Sequence, residues 1–360
     1  MIKEKILNIL VIADIHFGNK SDRELYESLQ EKFISKIDET TDAVIIAGDL
    51  FDRILKLNES ACLYAFNFIE NILKLSKIYN FKVRIIKGTK SHDFNQLNNF
   101  KKYESEYDFK IIEVVTEEEL FDSHMVLYIP EEYIENENIY YEKYFNKTYN
   151  SIFFHGTMNF ASYSSHVKIN KEGKNAPNFS SEKIAKLAKG AVVGGHIHIK
   201  QNYMNKIFYT GSFYRTKFGE SEDKAFIQYL YNTEDDTFKI NYIINDLAPE
   251  YVTINFKDLE GTLEEKIKLV EELKEEYENI RIDIDEEDVK SNNIILENLN
   301  KLTDETVKVK VTNNFKEEYD DKYDFILKKE LPLNETIKKF GELMFNKDLK
   351  IETINKFLND

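Results

Sequence analysis

Over the first 250 positions, apolar residues fall into short runs, each closed by a polar cluster. Ile6–Ala13, Asp42–Ala47 and Phe81–Lys87 are the first three, and short apolar runs bounded by turn residues read as buried strands. Between them, Asp22–Ile37 and Asn58–Ile78 carry apolar residues at helical spacing, with Asn58 placed to cap the second helix. Strands alternating with helices predict a mostly parallel sheet with helices on both faces. Further strands are expected at Ile111–Val115, Met125–Ile129, Ser151–Phe154 and Ala191–Gly194. Ile207–Thr210, Phe226–Leu230 and Phe238–Ile244 follow too closely for helical crossovers, so that part of the sheet should be antiparallel.

The rhythm changes near Pro249. Val252–Phe256, Ile280–Ile284 and Val307–Val311 read as strands, and Leu263–Tyr277 and Ile294–Leu302 as helices, which makes a small α+β module. After Pro332, two short amphipathic helices are expected around Glu335–Phe345 and Ile351–Leu358. Charge supports a boundary at Leu247–Tyr251: of the net −16, residues 250–360 carry −11 and residues 1–249 carry −5. The expected division is therefore 1–249, 250–330 and 331–360.

A hydrophobic share of 42% is enough to build a core and excludes a disordered chain. No apolar run approaches the roughly 18 residues that cross a bilayer. The opening run is too short and too polar at its end for a secretory leader, and reads as a strand. One cysteine, Cys62, excludes an internal disulfide and fits a reducing cytoplasm. With only five arginines, guanine-reading, sequence-specific DNA recognition is not expected.

The polar clusters carry the chemistry. They are Asp14-Ile15-His16, Gly48-Asp49-Leu50-Phe51-Asp52, Gly88-Thr89-Lys90-Ser91-His92-Asp93, His155-Gly156 and Gly195-His196-Ile197-His198, and they hold five of the seven histidines. In open α/β sheets, ligands bind beyond the carboxyl ends of the strands, so the five should converge. Residues two apart in extended backbone point the same way, so Asp14 with His16, and His196 with His198, can each offer two ligands. Mixed imidazole and carboxylate ligands suit Mn, Fe or Zn. Asp49 is placed to bridge two ions, and a pair about 3.5–4 Å apart can drive in-line displacement at phosphorus. Outside the clusters, His124 reads as structural, His166 as part of a long loop, Cys62 as core, and Arg215 as either a phosphate contact or a support.

This ordered set resembles the calcineurin-like metallophosphoesterases. The stretch Ile207–Glu220, followed by Lys224-Ala225-Phe226, is similar to a segment of SbcD-type nuclease subunits, and the module at 250–330 to their capping domain. The resemblance implies a core of two packed mixed sheets flanked by helices, a small α+β capping domain and a helical tail. It also implies two divalent ions, foremost Mn²⁺ with Mg²⁺, Fe²⁺ or Zn²⁺ as alternatives. Asp14, His16, Asp49 and His198 would hold one, and Asp49, His155 and His196 the other. His92 would act beside the scissile phosphate, supported by Asp52. One motif departs: the family has Gly-Asn-His-Asp, with the Asn on the second ion, where this chain has a loop two residues longer. Counting back from His92 puts Ser91 in the place of the Asn; counting from Gly88 puts Thr89 there, and Asn95 lies close. Ser91 is taken as the ligand. The implied activity is exonuclease on duplex DNA and endonuclease on single strands. The implied partners are DNA, a second copy of the chain and an SbcC-type coiled-coil ATPase bound by the tail, with no membrane involved. The site of action would be the cytoplasm, or the host's if the gene belongs to a phage. Activity on small phosphodiesters or phosphoproteins, or a catalytically weak scaffold, are the alternatives.

Overall fold

The early apolar runs form strands because both their faces are covered. The computed structural model describes residues 6–19, 21–134, 137–162, 177–220, 222–277, 279–285, 293–304, 306–312, 335 and 337–338. In chain order the strands are β1 (Ile6–Ile12), β2 (Ala43–Ala47), β3 (Lys82–Ile86), β4 (Phe109–Ile112), β5 (Thr116–Phe121), β6 (His124–Ile129) and β7 (Ser151–His155). Then come β8 (Thr157–Met158), β9 (Asn178–Phe179), β10 (Val192–Gly195), β11 (Gln201–Tyr203), β12 (Ile207–Tyr209), β13 (Ala225–Asn232) and β14 (Phe238–Ile244). The helices are α1 (Asp22–Ser28), α2 (Ser60–Tyr79), α3 (Glu137–Phe145) and α4 (Ser181–Leu187).

Two six-stranded sheets result, in the orders β14-β13-β1-β2-β3-β4 and β11-β12-β10-β7-β6-β5. Both are mixed: β1 to β4 run parallel, while β13 pairs antiparallel with both β1 and β14. The period of two along each strand sorts side chains into layers. Leu10, Ile12, Val44, Ile46, Val83 and Ile85 pack on α1 and α2 through Leu25, Phe68 and Ile72. The opposite face, with Leu7, Ile9, Val11 and Ile45, packs on Val126, Tyr128, Phe153 and Val193 of the second sheet. The second sheet's outer face, with Leu127, Ile152, Phe154 and Val192, is covered by Tyr141 of α3 and Ile184 of α4. Among the described residues each sheet thus carries helices on one face, because the other faces its partner sheet.

Other expectations change in detail. β12 lies parallel to β10, with β11 inserted as its antiparallel neighbour, so only part of this region is antiparallel. The helix expected over Asp22–Ile37 stays α-helical to Ser28, passes through a π turn at Leu29–Phe33 and ends as 3₁₀ at Ile34–Lys36. Glu59, not Asn58, occupies the cap position of α2, its carboxylate turned to Arg53 and the Lys56 amide. β5 escapes hydrophobic alternation because its glutamates have partners. Arg84 of β3, buried to 1% exposure, meets Glu118 of β5 in two N–H···O bonds of 2.8 Å and also donates to Asp108.

By its contacts the chain divides into two compact units, Met1–Ile254 with Leu269–Arg281 and Asp304–Lys308, and Asn255–Lys268 with Ile282–Thr303 and Val309–Asp360. Beyond the core run β15 (Tyr251–Asn255), α5 (Leu263–Leu273), β16 (Asn279–Asp285), α6 (Asn293–Leu302) and β17 (Val307–Thr312), with strand order β15-β16-β17. The tail helices around 335–345 and 351–358, and His166, lie outside the described residues apart from Glu335, Ile337 and Lys338. No helix among the described residues is long and apolar enough to cross a membrane.

His124 is structural. It is buried in β6, shares a 3.1 Å hydrogen bond with Ser151 Oγ and packs edge-on to Tyr231. Burial lowers its pKa to about 4 from 6.5. Between those values the unfolded chain takes the proton first, so stability should fall as pH drops through that window, by at most ~3 kcal/mol. Denaturant unfolding at about pH 7 and about pH 4.5 checks this: His124→Gln should lose less stability on acidification than the parent.

Candidate metal centre

The carboxyl ends of six strands meet at the seam of the two sheets. β1 delivers Asp14 and His16, β2 delivers Asp49 and Asp52, and the turn after β3 delivers Thr89, His92 and Asp93. From the second sheet come Glu131 after β6, His155 at the end of β7, and His196 and His198 after β10. The cavity above them, about 300 Å³, is lined by His16, Asp49, Asp52, Thr89, His92, His196, His198, Lys217 and Glu220, among others.

Local backbone aims these side chains. Asp14, His16, Asp49 and His196 all have positive φ, at 51°, 60°, 50° and 96°. Gly48 has φ 89°, and a Cβ there would lie 2.0 Å from His155 Nδ1. At Gly88 a Cβ would lie 2.2 Å from Asp49 Oδ1 and 2.3 Å from the Asp49 amide. Asp93 ties the loops together. Its Oδ2 accepts from the Asp49 and Gly88 amides at 3.0 and 2.8 Å, and its Oδ1 from the Leu50 and Phe51 amides at 3.0 and 3.3 Å.

Among the described residues three groups of candidate ligand atoms result, the third being His16, Asp52 and His92. In the first, Asp14, His16 and His198 present atoms within 4.8 Å of one another, and the His16 and His198 Nε2 atoms face each other at 3.0 Å. In the second, Asp49, His155 and His196 do the same, with His155 Nε2 3.3 Å from Asp49 Oδ1. His155 Nδ1 is committed to the Ala47 carbonyl at 2.7 Å, which turns Nε2 inward. His155 Nε2 and His196 Nδ1 are buried and make no well-directed hydrogen bond among the described residues. Such a donor set, with ring nitrogens aimed inward and the outer nitrogens of His155 and His198 tethered, fits divalent cations.

Electrostatics agree. Burial strongly opposes charge on His16, and neighbouring His198 adds to this, so its pKa sits well below 6.5 and the ring offers a free lone pair. Burial also disfavours charge on Asp49 and on His155, but their mutual attraction prevails: Asp49 falls well below 3.8 and His155 rises well above 6.5. Asp14 and Glu131 add to the rise at His155. The carboxylates that favour a proton there would favour a divalent cation more.

The surrounding groups hold the set. Asp14 accepts the His196 amide on both oxygens, at 3.1 and 3.0 Å. His198 Nδ1 lies 3.2 Å from Glu220 Oε1, and Glu220 lies 3.3 Å from Lys224 Nζ. Burial raises the Glu220 pKa, yet His198 and Lys224 outweigh it and hold it at about 2. Asp52 stands 3.5 Å from His16 Nδ1, and its Oδ1 accepts from Asn19 at 3.0 Å. His92 packs edge-on to His16, 5.0 Å between ring centres.

Ser91 is the sequence expectation that fails. It sits exposed on the turn, whereas Thr89 is the one that faces inward: its amide donates to Asp49 Oδ1 at 2.6 Å and its hydroxyl reaches Asp49 and Glu131, each at 3.1 Å. The two extra loop residues shift the count from His92, while the count from Gly88 stays true. Arg215 donates to the carbonyls of Ala248 and Pro249, and is a support. Glu131 was not legible as a site residue, since it lies outside the five clusters.

Two outcomes are expected. Ser91→Ala should leave metal titration unchanged, while Gly88→Ala should weaken it at least tenfold by displacing Asp49. Metal uptake should release about one proton, from His155, so affinity should climb as pH rises toward the pKa of that ring; calorimetry in buffers of different ionisation enthalpy measures the release.

The site and fold have counterparts in known proteins. A family model described as calcineurin-like phosphoesterase matches residues 7–200. A protein of Invertebrate iridescent virus 6 named as a phosphoesterase, 244L, is 25% identical over 233 residues, spanning 62% of this chain and 76% of the viral one. The matched segment runs from β1 through both ligand sets, and the chain belongs to the calcineurin-like phosphoesterase family.

Proposed function

We propose that the protein is a two-metal DNA nuclease, the nuclease subunit of an SbcC–SbcD-type complex that works with a coiled-coil ATPase in DNA repair or recombination. One observation carries the nuclease reading within the family. The segment that resembles SbcD-type subunits is wired into the site: Lys224 Nζ donates to Ser212 Oγ at 2.8 Å and pairs with Glu220, which in turn holds His198.

Two divalent ions, foremost Mn²⁺, held by Asp14, His16, Asp49, His155, His196 and His198 would supply a nucleophilic water and charge on the phosphoryl oxygens. The residues of the chain do the rest. Asp49, a member of the second set beside His155, would be shared with the first ion. His92 lines the cavity beside His16 and would give a proton to the leaving oxygen. Asp52 lies beside His16, and Glu220 orients His198. The net charge of −5 in residues 1–249 leaves little unaided grip on DNA, which suits a subunit assisted by a second copy and by the ATPase.

The test uses end-labelled duplex and single-stranded DNA with Mn²⁺, Mg²⁺ or chelator, beside a small phosphodiester. DNA cleavage with Mn²⁺ that chelator abolishes is expected, and His92→Ala should lower the rate by roughly 10²–10⁴ with metal titration retained. Turnover of the small ester alone would point to another phosphodiesterase, and no turnover even with the ATPase to a scaffold.

A further inference from the structure

Glu131 is 2% exposed, and nothing in the motif pattern calls for a carboxylate there. It follows Pro130 at the end of β6, where its amide donates to the Lys87 carbonyl at 3.2 Å and fixes the end of β6 against that of β3. Its Oε1 accepts from Tyr133 Oη at 2.5 Å. Its Oε2 accepts from the Thr89 hydroxyl at 3.1 Å and points into the second ligand set, 3.0 Å from His196 Nδ1 and 3.7 Å from His155 Nε2. Donors about 2.1 Å from one ion stand roughly 3.0–3.5 Å apart in octahedral or tetrahedral arrangement. The 3.0 Å separation from His196 matches that spacing and the 3.7 Å separation from His155 lies just beyond it, and both ring nitrogens are buried without a well-directed hydrogen bond among the described residues.

We propose that Glu131 is a ligand of the second ion, filling the coordination place left by the missing asparagine. The second position then holds two carboxylates, Asp49 and Glu131, and two imidazoles, His155 and His196. Thr89 keeps a positioning role, its hydroxyl shared between the two carboxylates. A carboxylate in place of a neutral amide would add one negative charge beside Asp49. It shifts preference toward harder ions such as Mn²⁺ and Mg²⁺ and away from Zn²⁺. The inference deepens the two-ion reading and rests on it for the second ion.

The decisive experiment needs no turnover. Crystals of the full chain soaked in Mn²⁺ and measured at the manganese absorption edge locate the ions directly. Expected are two anomalous peaks, the second within about 2.5 Å of Glu131 Oε2. In solution, calorimetric titration with Mn²⁺ should give two ions for the parent. For Glu131→Ala the second should weaken at least tenfold, with affinity partly restored in Glu131→Gln, whose amide oxygen can still ligate. A second peak bound by Asp49, His155 and His196 with Glu131 more than about 3 Å away would overturn the assignment, making Glu131 only a hydrogen-bond acceptor for His196. Full two-ion affinity in Glu131→Ala would overturn it as well. A parent that takes up one ion only would overturn the two-ion reading itself. If Glu131→Ala does not fold, the diffraction result on the parent still decides.

Discussion

Left-handed backbone at the ligands is the constraint around which the rest is arranged. Asp14, His16, Asp49 and His196 sit at positive φ, a region that costs an L-residue roughly 1–2 kcal/mol. Four such residues in one site persist only because their surroundings over-determine them. The amides of Asp14, Ile15, His16 and Phe17 all donate to carbonyls of Gly48, Asp49 and Leu50, so the turns after β1 and β2 form one bonded unit. Asp93 fastens that unit to the turn after β3, and Asp14 reaches across to the His196 amide in the other sheet. Flat, unstrained strand ends would have spread the same residues along two edges.

The second constraint is charge. Asp14, Asp49, Glu131 and Glu220 are all buried, and each answers to imidazole or ammonium within its reach. Buried carboxylates unpaired at this density would be heavily penalised. The histidines are therefore electrostatic partners as well as candidate ligands, and two of the rings are held by what their outer nitrogens meet. For His155 this is the Ala47 carbonyl, and for His198 it is Glu220.

Much of this architecture could be read from the chain before folding, for a physical reason. Buried parallel strands must be continuous apolar runs, so their ends stand out, and chemistry placed at those ends stands out too. Asp14, His16, Asp49, His92, His155, His196 and His198 were all visible in this way. What stayed hidden depended on partners distant in sequence. The run of glutamates in β5 looks like a solvated loop until Arg84 is placed against Glu118. Ser91 and Thr89 are equivalent until the turn after β3 takes its path. Glu131 closes the run Met125–Ile129 as the other site residues close theirs. A lone Glu followed by Glu132 carries no ligand signature, and only the neighbouring strands reveal its direction.

The ligand sets draw on both sheets. His16, Asp14 and Asp49 belong to one, and His155, His196, His198 and Glu131 to the other. Between the sheets lies an apolar layer, which resists separation well but resists sliding only through the fit of its side chains. An ion gripped from both sides would act as a rivet through that layer, where polar strand ends replace the packing. Its binding energy would then also oppose shear between the sheets, and the same cations would serve as chemical reagents and as fasteners of the sandwich.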